Sequence, residues 1–190
     1  MRLTVHPLTP DRWTDLETLF GEASATRNCW CMWWRVAGNA WKDTTKASRK
    51  QAFRGAADDT PPGLLGYDGD TPVAWVHVTP RADVPRFNNG RMSKPNDDYE
   101  FEHTWAISCF YTKRSHRKQG IMAAMARAAC YHAQRNGAFW VEAAPIRPKP
   151  DLQRSDGYFG IVPALERAGF DTVEERGPNR ILMRWIAVNG

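Results

Sequence analysis

The sequence predicts an α/β fold of the α+β kind, built as one domain, and three observations carry that prediction. Trp105 to Asn136 begins with apolar, β-prone residues, passes through a basic turn, and continues as an alanine- and methionine-rich run without Gly or Pro, a strand, a turn and a helix. Leu64–Tyr67 and Val73–Val78 flank Asp68-Gly69-Asp70, which reads as a hairpin. Near the start, Trp13, Leu16, Leu19 and Phe20 recur at helical spacing. A chain of 190 residues suits a single domain, 1–190, with a sizeable core.

In chain order, Leu3 to His6 reads as a first strand. Thr9-Pro10-Asp11 is a helix start, with Thr9 as N-cap and Pro10 at the first helical position, and the helix stops near Gly21. A second helix is expected from Thr44 to Gly55, its Lys46, Arg49, Lys50 and Arg54 on solvated faces, followed by the hairpin. Ala82 to Tyr99 reads as a loop carrying Pro85, Pro95 and Asn88-Asn89-Gly90, long enough to be functional or mobile. After the central strand and its helix, which ends near Asn136, Ala138–Ala144 is a strand and Pro145 to Gly157 a basic loop. A last helix lies between Tyr158 and Ala168, regular from Pro163 and closed by Gly169. Thr172–Val173 and Ile181–Trp185 complete the strands.

The turn between the central strand and its helix carries the sharpest chemical signal. The first amides of a helix have no intrahelical partner and sit at the positive end of its dipole, so they bind phosphate. Arg114, Arg117 and Lys118 add positive charge there, and Gly120 lets an anion approach the main chain. Arg117-Lys118-Gln119-Gly120-Ile121-Met122 resembles the R/Q-x-x-G-x-G/A signature of the GNAT superfamily of acyl-coenzyme-A-dependent N-acyltransferases, and family-like segments extend from about Leu3 to Arg184. The last signature position is Met122 here. Its side chain either crowds the diphosphate or folds back onto the helix, and the second is preferred because the contact is made by backbone.

The resemblance implies a central twisted, mixed, mostly antiparallel sheet of about six or seven strands, about four helices on both faces, and a V-shaped splay between strands four and five. It implies acetyl-coenzyme A as co-substrate, bound by Phe110, Tyr111 and Thr112 of the strand and by Arg117, Lys118, Gln119, Gly120, Ile121, Met122 and Ala123 of the loop and helix start. The reaction it implies is direct attack of a primary amine on the thioester in a ternary complex. An amide on the central strand, Phe110 N–H or a neighbour, would polarise the carbonyl.

The base is less defined. Relatives often carry it at positions occupied here by Ala106 and Ser108, and Ser108 is able only to orient a water. If the strand is regular, Glu102, Thr104, Ala106, Ser108 and Phe110 share one face, which makes Glu102 the first candidate base, with Glu142 on the next strand and His103 behind it. The ending Leu165-Glu166-Arg167-Ala168-Gly169-Phe170 is similar to the family's Y-E-K-x-G-F, but Leu165 replaces a tyrosine that protonates the departing thiolate. Either Tyr158 or solvent serves, or the thiolate leaves without an acid. His132 reads as a lightly packed helix residue.

The run Cys29-Trp30-Cys31-Met32-Trp33-Trp34-Arg35 has two readings: a core plug, or an aromatic wall for the acceptor made by Trp30, Trp33 and Trp34. It resembles a segment of a bacterial subgroup of the family. The acidic group Asp97, Asp98, Glu100 and Glu102 either draws in an amine or solubilises a loop.

Composition sets the remaining bounds. The chain is 42% hydrophobic and 25% charged, with a net charge of +5, which suits a polyanionic ligand. The basic residues are scattered and no nucleic-acid-binding motif is present, which argues against nucleic acid as a partner. Four cysteines at irregular spacing make neither a disulfide scaffold nor a metal site, and a reduced, cytoplasmic setting is expected. No segment approaches the roughly 20 apolar residues of a membrane span. The partner expected is a small-molecule or peptide amine, with the protein a monomer or homodimer. Two alternatives stand beside this reading: an acyltransferase using an RNA-linked (tRNA) or carrier-linked donor, and a catalytically silent, coenzyme-A-binding regulatory domain. Acceptor identity and acyl chain length are not encoded legibly.

Overall fold

The computed structural model describes residues 3–21, 24–96, 101–148 and 156–187. Within them the strands are β1 (Leu3–Pro7), β2 (Gly63–Asp68), β3 (Thr71–Pro80), β4 (Thr104–Thr112), β5 (Trp140–Ala143), β6 (Asp171–Glu175) and β7 (Ile181–Ile186). They form one sheet in the order β1-β2-β3-β4-β5-β7-β6. Every neighbouring pair is antiparallel except β4 with β5. Two of the antiparallel pairs, β2–β3 and β6–β7, are hairpins, and the parallel pair needs the crossover that α6 (Ile121–Arg135) provides.

The helices outnumber the four expected. Besides α6, the described residues contain α1 (Trp13–Gly21), α2 (Ser24–Cys29), α3 (Met32–Arg35), α4 (Lys46–Asp59), α5 (Pro85–Asn89) and α7 (Val162–Arg167). The short ones, α2, α3 and α5, fall where the sequence reads as connections. Thr9 does not cap with its side chain, and a single 3₁₀ turn over Pro10–Arg12 precedes α1. Thr45 caps α4, in a reciprocal capping box with Ser48.

The sheet has a core on each face. On one, α6 lays Ile121, Met125, Ala126, Ala129 and Ala133 on Val76, Val78, Ile107 and Phe110. Small residues let it sit close: a Cβ on Gly66 would meet Met125 Sδ at 2.7 Å. On the other, Trp13, Leu16 and Phe20 of α1 and Phe53 of α4 pack with Leu65, Trp75 and Tyr111. Among the described residues no helix is long and apolar enough to cross a membrane.

Two irregularities shape the middle of this sheet. The β4–β5 pairing ends at Ile107 opposite Ala143, although β4 runs on to Thr112, so the two strands part from Ser108 onward. In the same place the β3 register slips: His77 faces Cys109, yet Val78 faces Ile107. Ser108 is therefore the extra residue of a β-bulge. The regular alternation expected for β4 fails here, and Phe110 joins Trp105 and Ile107 in the α6 core instead of sharing a face with Ala106 and Ser108.

Gly160 closes the gap left by the splay. It has φ +86°, and a Cβ would come within 3.0 Å of Phe110 and 3.1 Å of Leu165. Gly160→Ala should cost about 1–3 kcal/mol in urea unfolding. Gly55→Ala, exposed within α4 with nothing near the added methyl, should instead stabilise by about 0.5–1 kcal/mol.

Candidate functional site

The turn after β4 is built as an anion cradle. Lys118 and Gly120 both have left-handed φ, +63° and +78°, and these two reversals bend the chain into α6. Gly120 stands at the N-cap with nothing within 4 Å of where its Cβ would be, and no side chain caps the helix. The first-turn amides thus open on a cavity of about 470 Å³. Phe110, Tyr111, Thr112, Arg117, Lys118, Gly120, Ile121, Met122 and Ala123 line it, so the structure brings together all the residues expected to bind the donor except Gln119. Gln119 lies outside that lining, its amide turned back to Ser115 O at 3.3 Å. Met122 is half-buried, packs against the α6 core and still borders the cavity. His116 and Arg167 complete the basic side of the lining.

Tyr158 closes the same cavity from the 3₁₀ turn Asp156–Phe159. Its ring stacks on Tyr111 at 6.4 Å with planes 12° apart. Burial pushes its phenol pKa up and the nearby Cys109 adds to the rise, while Arg117 opposes it. Leu165, at the position of the family tyrosine, is fully buried in the α6 core and points no polar atom anywhere.

The next residue, Phe159, faces a second cavity of about 180 Å³ on the other side of the bulge. Ile107, Ser108 and Ala144 form its floor, and Trp34, Phe87 and Phe159 its aromatic walls. Trp34 meets Phe87 edge-on at 5.4 Å and Phe159 at 5.9 Å. Arg35 ties α3 to the end of β3 by donating to Thr79 and Asp83, and Arg86 of α5 donates to Val36 O and Gly38 O.

The tryptophan run is therefore divided between its two readings. Trp30 and Cys31 both adopt left-handed φ, +49° and +54°, an uncommon pair of conformations for residues with side chains. That reversal sends Trp30 into the core, 4% exposed, against Trp13 and Phe20. It sends Trp34 to the small cavity. Trp33, 38% exposed, lies under the Arg86 guanidinium at 4.0 Å and against Trp41, outside the cavity lining. Of the three candidates, Trp34 alone lines the cavity.

The candidate bases lie elsewhere than expected. Glu102 is exposed in the turn before β4, six residues from Ser108 and so up to about 20 Å along the chain. His103 stacks on Phe139 at 4.4 Å, at that same end. Asp97, Asp98 and Glu100 lie outside the described residues. Glu142 is fully buried on β5 between two arginines: Arg81 donates to one oxygen, and Arg184 to the other at 2.8 and 2.9 Å. With both oxygens engaged it serves as the counter-ion of a buried network and is not available as a base. Arg81, also fully buried, reaches further to Asn88 Oδ1 and Ser93 O, and Arg184 to Asn96 Oδ1. The network thereby pins the segment from Asn88 to Asn96, whose Gly90, Arg91, Met92 and Ser93 wall the small cavity.

Ser108, the remaining candidate, has a partner that the sequence reading missed. Its hydroxyl lies 2.6 Å from His77 Nδ1, both side chains being buried. His77 shares a face of β3 with Trp75, a period-two signal present in the sequence. Desolvation, helped by Arg35, holds the His77 pKa well below its usual 6.5, so the imidazole is neutral at pH 7. Its Nε2 has no hydrogen-bond partner. His132 is likewise buried with an unpartnered Nε2, edge-on to Trp105, remote from either cavity lining. Among the described residues no group of His, Cys, Asp or Glu is placed to hold a metal.

The comparisons agree with this architecture. The sequence profile described as the Acetyltransferase (GNAT) family matches residues 26–146. No curated protein matches by sequence. Among solved structures, aminoglycoside acetyltransferase AAC(6')-Ib in complex with coenzyme A and kanamycin is 12% identical, over 97% of this chain and 95% of that one, with a TM-score of 0.56. An acetyltransferase from Thermus thermophilus is 15% identical over 98% of each chain, with a TM-score of 0.53. Ard1 from Thermoplasma volcanium is 12% identical over the whole of both chains, with a TM-score of 0.52.

Two outcomes follow from the buried charges. Glu142→Ala, which leaves two guanidiniums without their carboxylate, should lower unfolding free energy by about 3–5 kcal/mol in urea titrations. His77, charged when unfolded and neutral when folded, favours the native state fully above pH 6.5, and that contribution is lost as pH falls from there toward its lower folded value. Wild-type stability should therefore decline below pH 6.5, and His77→Gln should show a shallower decline, His132 supplying the remainder in the same direction.

Proposed function

The chain belongs to the Acetyltransferase (GNAT) family, and from that premise we propose that it moves the acetyl group of acetyl-coenzyme A to a primary amine by direct attack in a ternary complex. The observation that carries this reading is a pair of cavities lined by neighbouring stretches of β4 on either side of its bulge, one opening on bare helix amides and the other on Ser108.

The donor cavity fits its ligand on chemical grounds. First-turn amides of α6, Arg117, Lys118 and Arg167 suit a diphosphate, and the uncapped Gly120 leaves room for it. Acetyl-coenzyme A supplies a thioester, whose carbon is the electrophile. Where β4 leaves β5, Phe110 N–H is our choice for the donor that polarises the carbonyl. The amine enters through the smaller cavity, forms the C–N bond as the C–S bond breaks, and gives up one proton.

Ser108 takes the role next to that proton. In the tautomer that carries its hydrogen on Nε2, the one this role requires, His77 Nδ1 accepts the Ser108 hydroxyl hydrogen and leaves the oxygen's lone pairs for the amine. Ser108 thus orients the nucleophile, and the proton leaves through solvent. Tyr158 donates to the departing thiolate, and its raised pKa keeps it protonated at neutral pH.

A second reading has its own support. The buried Leu165 and the engaged Glu142 are what a coenzyme-A-binding domain without turnover would show. A donor linked to RNA or a protein carrier would use the same basic cradle, and tRNA binding that weakens steeply with salt would favour it.

Thiol release and calorimetry separate these readings. Gly120→Glu should abolish coenzyme A binding. Ser108→Ala and Tyr158→Phe should retain coenzyme A affinity and lower kcat about 10- to 100-fold each. If neither variant slows an active wild type, Ser108 and Tyr158 are not the groups assigned here.

A further inference from the structure

Resting on the reading above, in which the cavity beside Ser108 receives the amine, we infer that its substrate is a small monoamine with an aromatic or branched apolar body, and not a polycation. Size is the first argument. The cavity measures about 180 Å³. A pocket of about 150 Å³ lined by apolar side chains is filled by benzene. One ring or branched alkyl group with a short aminoalkyl arm fills the space here, whereas most of an amino sugar of several rings would have to stay outside it.

The walls give the second argument. Trp34, Phe87 and Phe159 present ring faces and edges, and Met92, Ile107 and Ala144 add aliphatic surface. An apolar body gains from that lining, whereas a hydroxylated one would lose its water without replacement. Charge is the third. Among the described lining residues the ionised side chains are Arg91 and Arg180, with no carboxylate. A second ammonium would meet like charge from these two guanidiniums. Arg180 lies on the Phe159 ring at 4.1 Å and donates to Ala144 O, so its charge is fixed at the cavity's edge. At the floor, Ser108 offers an oxygen to the single N–H group that must reach the thioester.

The test measures coenzyme A affinity by calorimetry first, then thiol release from acetyl-coenzyme A with 2-phenylethylamine, 3-methylbutylamine, spermidine and kanamycin. Expected is a kcat/KM for at least one of the first two that is about 100-fold or more above both polycations. Trp34→Ala should lower kcat/KM for 2-phenylethylamine about tenfold or more, mainly through KM, with coenzyme A affinity unchanged. Phe159→Leu, a milder change, should act in the same direction and guards against misfolding of the tryptophan variant. Spermidine or kanamycin turned over as well as the apolar amines would overturn the inference. So would donor binding without thiol release from either apolar amine. Failure to bind coenzyme A at all would instead remove the function on which the inference rests.

Discussion

The separation of β4 from β5 beyond Ile107 is the constraint on which the site depends. A strand that loses its neighbour in the middle of a sheet exposes backbone that must be satisfied by something else. Here the opening is edged by Ile146, which bridges to Ile161 and Arg180, and by the tight turn at Gly160. The Ser108 bulge accompanies the separation: it shifts the strand by one residue, so that Ser108 and Phe110 end on different faces. One local defect in pairing thus produces both the gap and the polar group beside it.

Such a gap needs a stiff frame. On one side α6 is locked to the sheet by small residues and Met125; on the other, the Arg81–Glu142–Arg184 network joins the turn that follows β3 to β5 and β7 and reaches into the segment after α5. A buried ion network is a weak source of stability compared with apolar packing, but it is directional. Arg81 fixes three separate groups from one planar guanidinium, which places the cavity wall at a defined distance from β4.

The cavity proposed for the donor was legible in the sequence because its determinants are local. Gly120, the cations before it and the periodic helix after it lie within one short stretch, and nine of the ten residues expected there line one cavity. The amine half depends on contacts between distant positions. Glu142 and Arg81 are 61 residues apart, and nothing near Glu142 announces that its oxygens are engaged. The bulge falls in Ile107-Ser108-Cys109-Phe110, which contains no glycine to betray it. Two left-handed residues, Trp30 and Cys31, split the tryptophan run between core and cavity, a conformation that their residue types disfavour. Likewise Pro85 and Asn88-Asn89-Gly90, read as loop punctuation, are the start and the end of α5.

Tyr158 and Phe159 are consecutive, and each borders a different chamber. A displacement of that one turn moves both boundaries together, because a single peptide unit joins them. On the function proposed above, a donor that shifted Tyr158 would carry Phe159 with it, and any resulting change in amine affinity would be matched by an equal change in donor affinity.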